Sequence, residues 1–249
     1  MSGHSKWSSI KRDKGVTDAK RGQLFTKLGR EITIAARQGG GDSDANSRLR
    51  LAIDRARGAN MPKNNIERAI GKGTGADSDA AQLSEITYEG YGPGGAAVLV
   101  EALTDNRNRT ASEVRNAFAT AGGNLGDAGS VAWQFENRGL ITLKPGDEDP
   151  EELALRAIDS GAEDVQVDGD AIEVYTKPEE LESVRQALAA AEIPIGSVEY
   201  MKVPKNTIAL DVHKSKQVLR MLDQLDELED VQRVSSNADF SDEVLAAYA

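Results

Sequence analysis

Apolar residues recur at helical spacing near the start of the chain. Leu24, Phe25, Leu28, Ile32 and Ala35 fall on one side of a helix at about 100° per residue, with Lys20, Lys27, Arg30 and Arg37 roughly opposite. Thr17 or Asp18 suits its N-cap, and Gly39-Gly40-Gly41 stops it. A second helix is predicted from Asn46 or Ser47, with Leu49, Ala52, Ile53 and Ala56 inward and Arg48 and Arg55 outward. Gly58 and Asn60 end it. Pro62 then suits the first turn of a third helix with Ile66, Ala69 and Ile70 on its apolar stripe. Three short helices with one stripe each bury them against one another, which predicts a three-helix bundle.

The pattern then changes. Residues 71–82 are rich in Gly, Ala, Ser and Asp and read as a linker. Strands are predicted over 85–91 and 96–104 around a Gly-Pro-Gly turn. Thr110 and Glu113 form a capping-box pattern ahead of Val114, Ala117, Phe118 and Ala121. GSVAWQFENRGLITL predicts a strand, a turn at Asn137-Arg138-Gly139 and another strand, with Trp133 and Phe135 on one core-facing side. From 140 the order is strand, helix 150–161, strand, turn at Asp168-Gly169, strand, helix 178–191, strand 195–202. That is the ferredoxin-like βαββαβ order. After Pro204 come a strand, a helix and a strand that cannot close a core alone but complete the sheet begun at 85–104. The fold class is therefore α+β: an N-terminal three-helix bundle followed by two small α/β sandwich domains, the last ferredoxin-like and inserted in the middle one. The predicted domains are 1–75, 82–139 with 204–249, and 140–203.

Charge is divided along the same lines. The whole chain has a formal net charge of −11. Residues 1–75 hold 16 Lys+Arg against 7 Asp+Glu, a net of +9, and residues 76–249 hold 14 against 34, a net of −20. A basic head on an acidic body implies a polyanion partner or an attraction between the two parts. The first fifteen residues carry Lys6, Lys11, Arg12 and Lys14 around Trp7, with no helical or strand period. Such an arm either neutralises phosphates or only keeps the terminus soluble, and Trp7 either stacks on an exposed base or folds back onto the helical bundle as packing. Arg107, Asn108 and Arg109 are placed on the loop entering the helix that Thr110 caps, as an anion contact or as a network with Asp105 and Glu101. The candidate nucleic-acid-binding residues are Lys6, Trp7, Lys11, Arg12, Lys14, Lys20, Arg21, Lys27, Arg30, Arg37, Arg48, Arg55, Arg107, Asn108 and Arg109.

Catalytic chemistry finds no foothold in the sequence. There is no Cys and only two His, His4 and His213, neither in a triad-like context. Gly90, Gly92 and Gly95 match GxGxxG, but a strand follows them where a dinucleotide site needs a helix. GKGTG at 71–75 lacks the P-loop Ser/Thr after Lys72. The acidic helix starts lack calcium-loop spacing. No cofactor, metal, small-molecule substrate or enzymatic activity is expected, no apolar run is long enough for a membrane span, and a cytoplasmic location is expected.

GHSKWSSIKRDKG, DAKRGQLFTKLGREI, GGGDSDANSRLR and NMPKNNIERAI, with YEGYGPGG, TDNRNRT and GSVAWQFENRG further on, resemble the YebC family along nearly the whole chain. The resemblance implies the three-part architecture. It also implies a regulator of gene expression: bacterial members are labelled probable transcriptional regulators, mitochondrial relatives act as translational activators, and ribosome association is reported. The reading favoured here is an RNA- and ribosome-associated translation factor gripping rRNA or tRNA with its head. The alternative is a DNA-binding transcriptional regulator that reads base edges with the helix near 47–57. A third is a protein scaffold with no nucleic acid.

Overall fold

The computed structural model describes residues 7, 18–75, 83–146, 148–169 and 171–248. The chain forms two compact units: Phe135–Lys205, and the segments on either side of it.

The flanking unit begins with helices α1 (Asp18–Gly39), α2 (Ser47–Gly58) and α3 (Lys63–Gly73). Their stripes meet as the spacing requires: Leu28, Ile32 and Ala35 of α1, Leu49, Ala52, Ile53 and Ala56 of α2, and Ile66 and Ala69 of α3 are buried in one cluster. Asn46 caps α2 by accepting from the Leu49 N–H at 3.1 Å, and its amide donates to Ala35 O and Gly40 O, which ties α2 to the end of α1. Pro62 is the N-cap of α3 rather than part of its first turn. Helix α3 also runs on into the predicted linker, because Gly73 lies against α1. A Cβ there would sit 2.4 Å from Thr33 O, so only glycine permits this helix approach.

Next come β1 (Ser84–Tyr91), a 3₁₀ turn at Pro93–Gly95, β2 (Ala97–Thr104), α4 (Arg107–Thr120) and the short β3 (Asn124–Leu125). After the other unit, the chain returns as β8 (Ile208–Ala209), α7 (Val212–Glu227), β9 (Val231–Ser236), β10 (Ala238–Asp239) and α8 (Asp242–Tyr248). The sheet order is β3-β1-β2-β9, all antiparallel, so a strand from the end of the chain closes a sheet begun at residue 84. Val98 and Val100 of β2 face Val114 and Phe118 of α4 and Leu219, Leu222 and Leu225 of α7 in the second core. β8 does not join this sheet; it pairs with β10 in a separate parallel ladder, and α8 had no counterpart in the sequence reading.

Two expectations are corrected here. Helix α4 starts at Arg107, capped by Asn106 accepting from the Arg109 N–H at 3.1 Å, so Thr110 is not its cap. Its hydroxyl instead donates into the interior. The predicted turn at 137–139 is absent: β4 runs unbroken over Phe135–Leu143, because Gly139 lies under Leu181 and Thr176, where any side chain would collide.

The Phe135–Lys205 unit contains β4, α5 (Pro150–Asp159), β5 (Asp164–Asp168), β6 (Ala171–Thr176), α6 (Leu181–Ala190) and β7 (Ile195–Pro204). Its strand order β5-β6-β4-β7, antiparallel throughout, is the ferredoxin-like one. Leu140, Leu153, Ile172, Val174, Leu181 and Leu188 are fully buried in it. Asp149 caps α5 and Glu151 and Glu152 occupy its first turn, where the helix dipole favours negative charge.

Candidate nucleic-acid interface

Among the described residues of the basic head, seven cations bond to other parts of the protein or within the head itself. Helix α1 directs Lys20, Lys27 and Arg30 at the turn between α7 and β9. Lys20 meets Glu227 at 3.5 Å, Lys27 donates to Asp226 O, and Arg30 donates to Glu229 O and Glu229 Oε1, both at 2.9 Å. Arg30 also reaches Asp230 Oδ1 at 2.8 Å. Arg37 donates to Leu83 O at 3.2 Å. On α2, Arg48 pairs with Glu85 at 2.6 Å and with Gln38, Arg50 donates to Ser43 O, and Arg55 grips both oxygens of Glu31. Attraction between basic and acidic parts, one of the two readings of the charge asymmetry, is visible at Lys20, Lys27, Arg30 and Arg48, whereas Arg50 and Arg55 bond within the head.

At the centre of this contact lies Asp230, 1% exposed. It accepts from Thr110 Oγ1 at 2.6 Å, Thr104 Oγ1 at 2.9 Å and Arg109 Nη2 at 2.7 Å, besides Arg30. Burial pushes its carboxyl up, but the hydrogen bonds from Thr110, Arg109 and Thr104 and the Arg30 charge outweigh it, and the net direction is down. Arg109 is held charged by the same bond. Its network includes Asp105, as expected, but Asp230 takes the place foreseen for Glu101.

Trp7 is 5% exposed and belongs to the core of the sheet and α7. Its indole N–H donates to Asp223 Oδ1 at 3.1 Å, and Tyr248 donates to the other oxygen at 2.7 Å. Trp7 is packed, but in the core of the sheet and α7 and not on the helical bundle, where folding back was expected. Trp133 departs from expectation in the opposite sense, being 67% exposed on the 3₁₀ turn at Ala132–Gln134. That turn is fixed from below by Glu89, whose carboxylate accepts from the N–H groups of Gly129, Val131 and Ala132 at 2.7–2.8 Å. Those bonds hold the Glu89 carboxyl below its ordinary range against the opposing effect of burial. Lys6, Lys11, Arg12 and Lys14 lie outside the described residues.

Further cations face solvent. Arg107 and Asn108 are exposed in the first turn of α4. Arg21 is exposed on α1. Asn64, Arg68 and Lys72, at successive four-residue steps, form an exposed strip along α3. Among the described residues no ion pair is formed by Arg68, Lys72 or Arg107. The sequence reading passed over Arg68 and Lys72, although their four-residue spacing opposite Ile66 and Ala69 was the available signal. No group of three or more His, Asp or Glu residues suited to a metal exists among the described residues, and no described helix is long and apolar enough to cross a membrane.

Together these features define a class by fold: a three-helix bundle joined to an antiparallel α+β sheet that is interrupted by a ferredoxin-like insertion. The chain belongs to the YebC family. Residues 5–76 match the family described as TACO1/YebC protein N-terminal domain, and residues 83–238 match TACO1/YebC second and third domain. A Dehalococcoides mccartyi protein named probable transcriptional regulatory protein is 54% identical over 248 residues, covering 100% of this chain and 98% of its own length. A Rubrobacter xylanophilus protein of the same name is 53% identical over 249 residues, covering both chains completely. The crystal structure of a conserved hypothetical protein from Aquifex aeolicus is similar with a TM-score of 0.86 at 47% identity, over 92% of this chain and 94% of that one. Both named relatives thus carry the name of a transcriptional regulator.

Proposed function

We propose that this regulator acts by binding RNA, in the setting of the ribosome, through phosphate contacts from its helical head. The observation that carries the reading is the exposed strip of Asn64, Arg68 and Lys72 on α3, with Arg107 and Asn108 on α4, on a chain otherwise strongly acidic. Exposed cations without internal partners neutralise phosphates and release counterions, which positions a protein on nucleic acid without reading sequence. Helix α2 is the element that a groove-reading mode would use, and Arg48, Arg50 and Arg55 are turned to Glu85, Ser43 O and Glu31. That commitment weighs against base readout in a DNA major groove. We assign the contact to the division 1–75 and 82–139 with 204–249, and leave 140–203 as an acidic appendage to it. The role is that of a binder, without a catalytic step, acting in the cytoplasm. A second reading, a DNA-binding transcriptional regulator, is favoured by the printed names of the relatives.

Co-sedimentation with ribosomes at two salt concentrations tests both, run beside an Arg68→Gln/Lys72→Gln/Arg107→Gln variant and a promoter-DNA shift assay. The RNA reading expects wild type to travel with ribosomes and the variant to be released, with the salt slope reduced by about 2 for three lost phosphate contacts. Equal sedimentation of both proteins refutes the surface. Absence of ribosome binding with a specific DNA shift replaces the RNA reading by the DNA one.

A further inference from the structure

The residues of α1 that sequence reasoning assigned to a nucleic-acid partner already have an anionic partner, and its chemistry resembles a phosphate backbone. Lys20, Lys27 and Arg30 share one face of α1 by their seven- and three-residue spacing. Opposite them the turn Asp226-Glu227-Leu228-Glu229-Asp230 presents acceptor oxygens in a row: Asp226 O, Glu227 Oε1, Glu229 O, Glu229 Oε1 and Asp230 Oδ1. One of these, Asp226 O, is a backbone carbonyl in the last turn of α7, where the helix dipole adds to the attraction for cations.

The contact is graded from outside to inside. Lys20 and Glu227 have side chains 62% and 60% exposed, so their pair is solvated and weak. Glu229 is 59% exposed. Arg30 and Asp230, at 14% and 1%, form the buried end.

We infer that the 226–230 segment is an intramolecular polyanion mimic that masks α1, and that an incoming phosphate chain displaces Glu227 from Lys20 and Glu229 from Arg30, while Arg30 stays on Asp230 and Lys27 on the Asp226 carbonyl. The inference rests on the nucleic-acid reading above and adds a threshold to it. Weak or short polyanions meet only the exposed strip on α3, whereas a polyanion long enough to outcompete Glu227 and Glu229 recruits α1 as well.

A charge-exchange cycle tests this. Affinity for a fluorescein-labelled RNA hairpin, and separately for inorganic polyphosphate, is measured for wild type, Lys20→Gln/Lys27→Gln, Glu227→Gln/Glu229→Gln and the combination of all four. Asp127→Asn/Glu243→Gln, which removes the same charge from exposed positions away from α1, serves as the control background. Masking predicts that Glu227→Gln/Glu229→Gln binds about three- to ten-fold tighter, the gain expected from freeing Lys20 and leaving Arg30 with one carboxylate instead of two. It also predicts that Lys20→Gln/Lys27→Gln removes the part of that gain owed to Glu227, at least half of it, yet changes wild type by less than about two-fold. An equal loss from Lys20→Gln/Lys27→Gln in every background overturns masking, as does a gain no larger than that of the control. Coupling seen with polyphosphate but no hairpin binding keeps the masking and removes the RNA reading. Failure of every version to bind either probe removes both.

Discussion

Replacing Asp230 by alanine is the sharpest perturbation of the contact between the helical head and the sheet. Four donors converge on its carboxylate, and each loses it differently. Thr110 keeps acceptors in Thr104 Oγ1 at 2.8 Å and Asn106 O at 3.1 Å, whereas Thr104 loses the acceptor of its own hydroxyl, so one buried hydroxyl is left short, at about 1 kcal/mol. Arg109, 43% exposed, keeps Asp105 and water and loses at most about 0.5 kcal/mol. Arg30, 14% exposed, keeps Glu229 but loses its better-shielded partner, worth about 1 kcal/mol. The expected loss is thus about 2–3 kcal/mol, below the ~3–5 kcal/mol of a fully stranded buried pair. For a unit of this size that corresponds to about 5–10 °C in Tm. Calorimetry is the assay, and only the transition of the flanking unit moves. A loss below about 0.5 kcal/mol refutes the reasoning, since it means the donors rehydrate freely. The pH dependence has a fixed sign. Because the folded-state carboxyl is depressed, its stabilisation is complete above the ordinary carboxylate range and is lost as pH falls through the lower folded value. The stability gap between wild type and Asp230→Asn therefore narrows on acidification.

Three other outcomes are expected. With Trp133→Phe, the remaining Trp7 emission is blue-shifted and poorly quenched by iodide, whereas Trp7→Phe leaves an exposed, quenchable Trp133; strong quenching in both contradicts the burial of Trp7. Gly73→Ala drives a methyl into Thr33 O and Ala36 and costs about 2 kcal/mol by urea unfolding, since the obstacle is backbone; a neutral effect means α3 does not sit against α1 there. Glu89→Gln replaces an acceptor of three N–H groups by a group with one oxygen, costs about 2 kcal/mol and speeds proteolysis within 127–134; unchanged cleavage rules out Glu89 as the support of that turn.

Local signals carried most of the fold. The stripes of α1, α2 and α3 were legible because each helix buries its face against its immediate neighbours, and the alternation of Val98 and Val100 marked a strand with one face on a helical layer. The errors share a cause in distance along the chain. Thr110 looks like a cap when only 107–113 are read, but its hydroxyl is claimed by Asp230, 120 residues away. Trp133 and Phe135 look alike in an alternating stretch, yet the first lies on a turn set by Glu89 and the second on β4. The basic charge of the head was legible; which cations stay free was not, because Lys27, Arg30 and Arg48 are committed by acidic residues from elements that no local pattern places beside them.

The last strand of the main sheet imposes a timetable on synthesis. β2 finds its neighbour β9 only after residue 236 has been made, and the core around Phe118 waits for α7 in the same way. The unit from Phe135 to Lys205 draws every strand and helix from one uninterrupted run, and its first and last strands pair along their whole length, Phe135 opposite Pro204. A growing chain folds what is complete, largely domain by domain. The segment begun first is therefore finished last, and the insertion matures while its host is still held open. Until α7 and the turn after it emerge, Lys20, Lys27 and Arg30 have none of the acceptors that later cover them, and the nascent head is at its most basic.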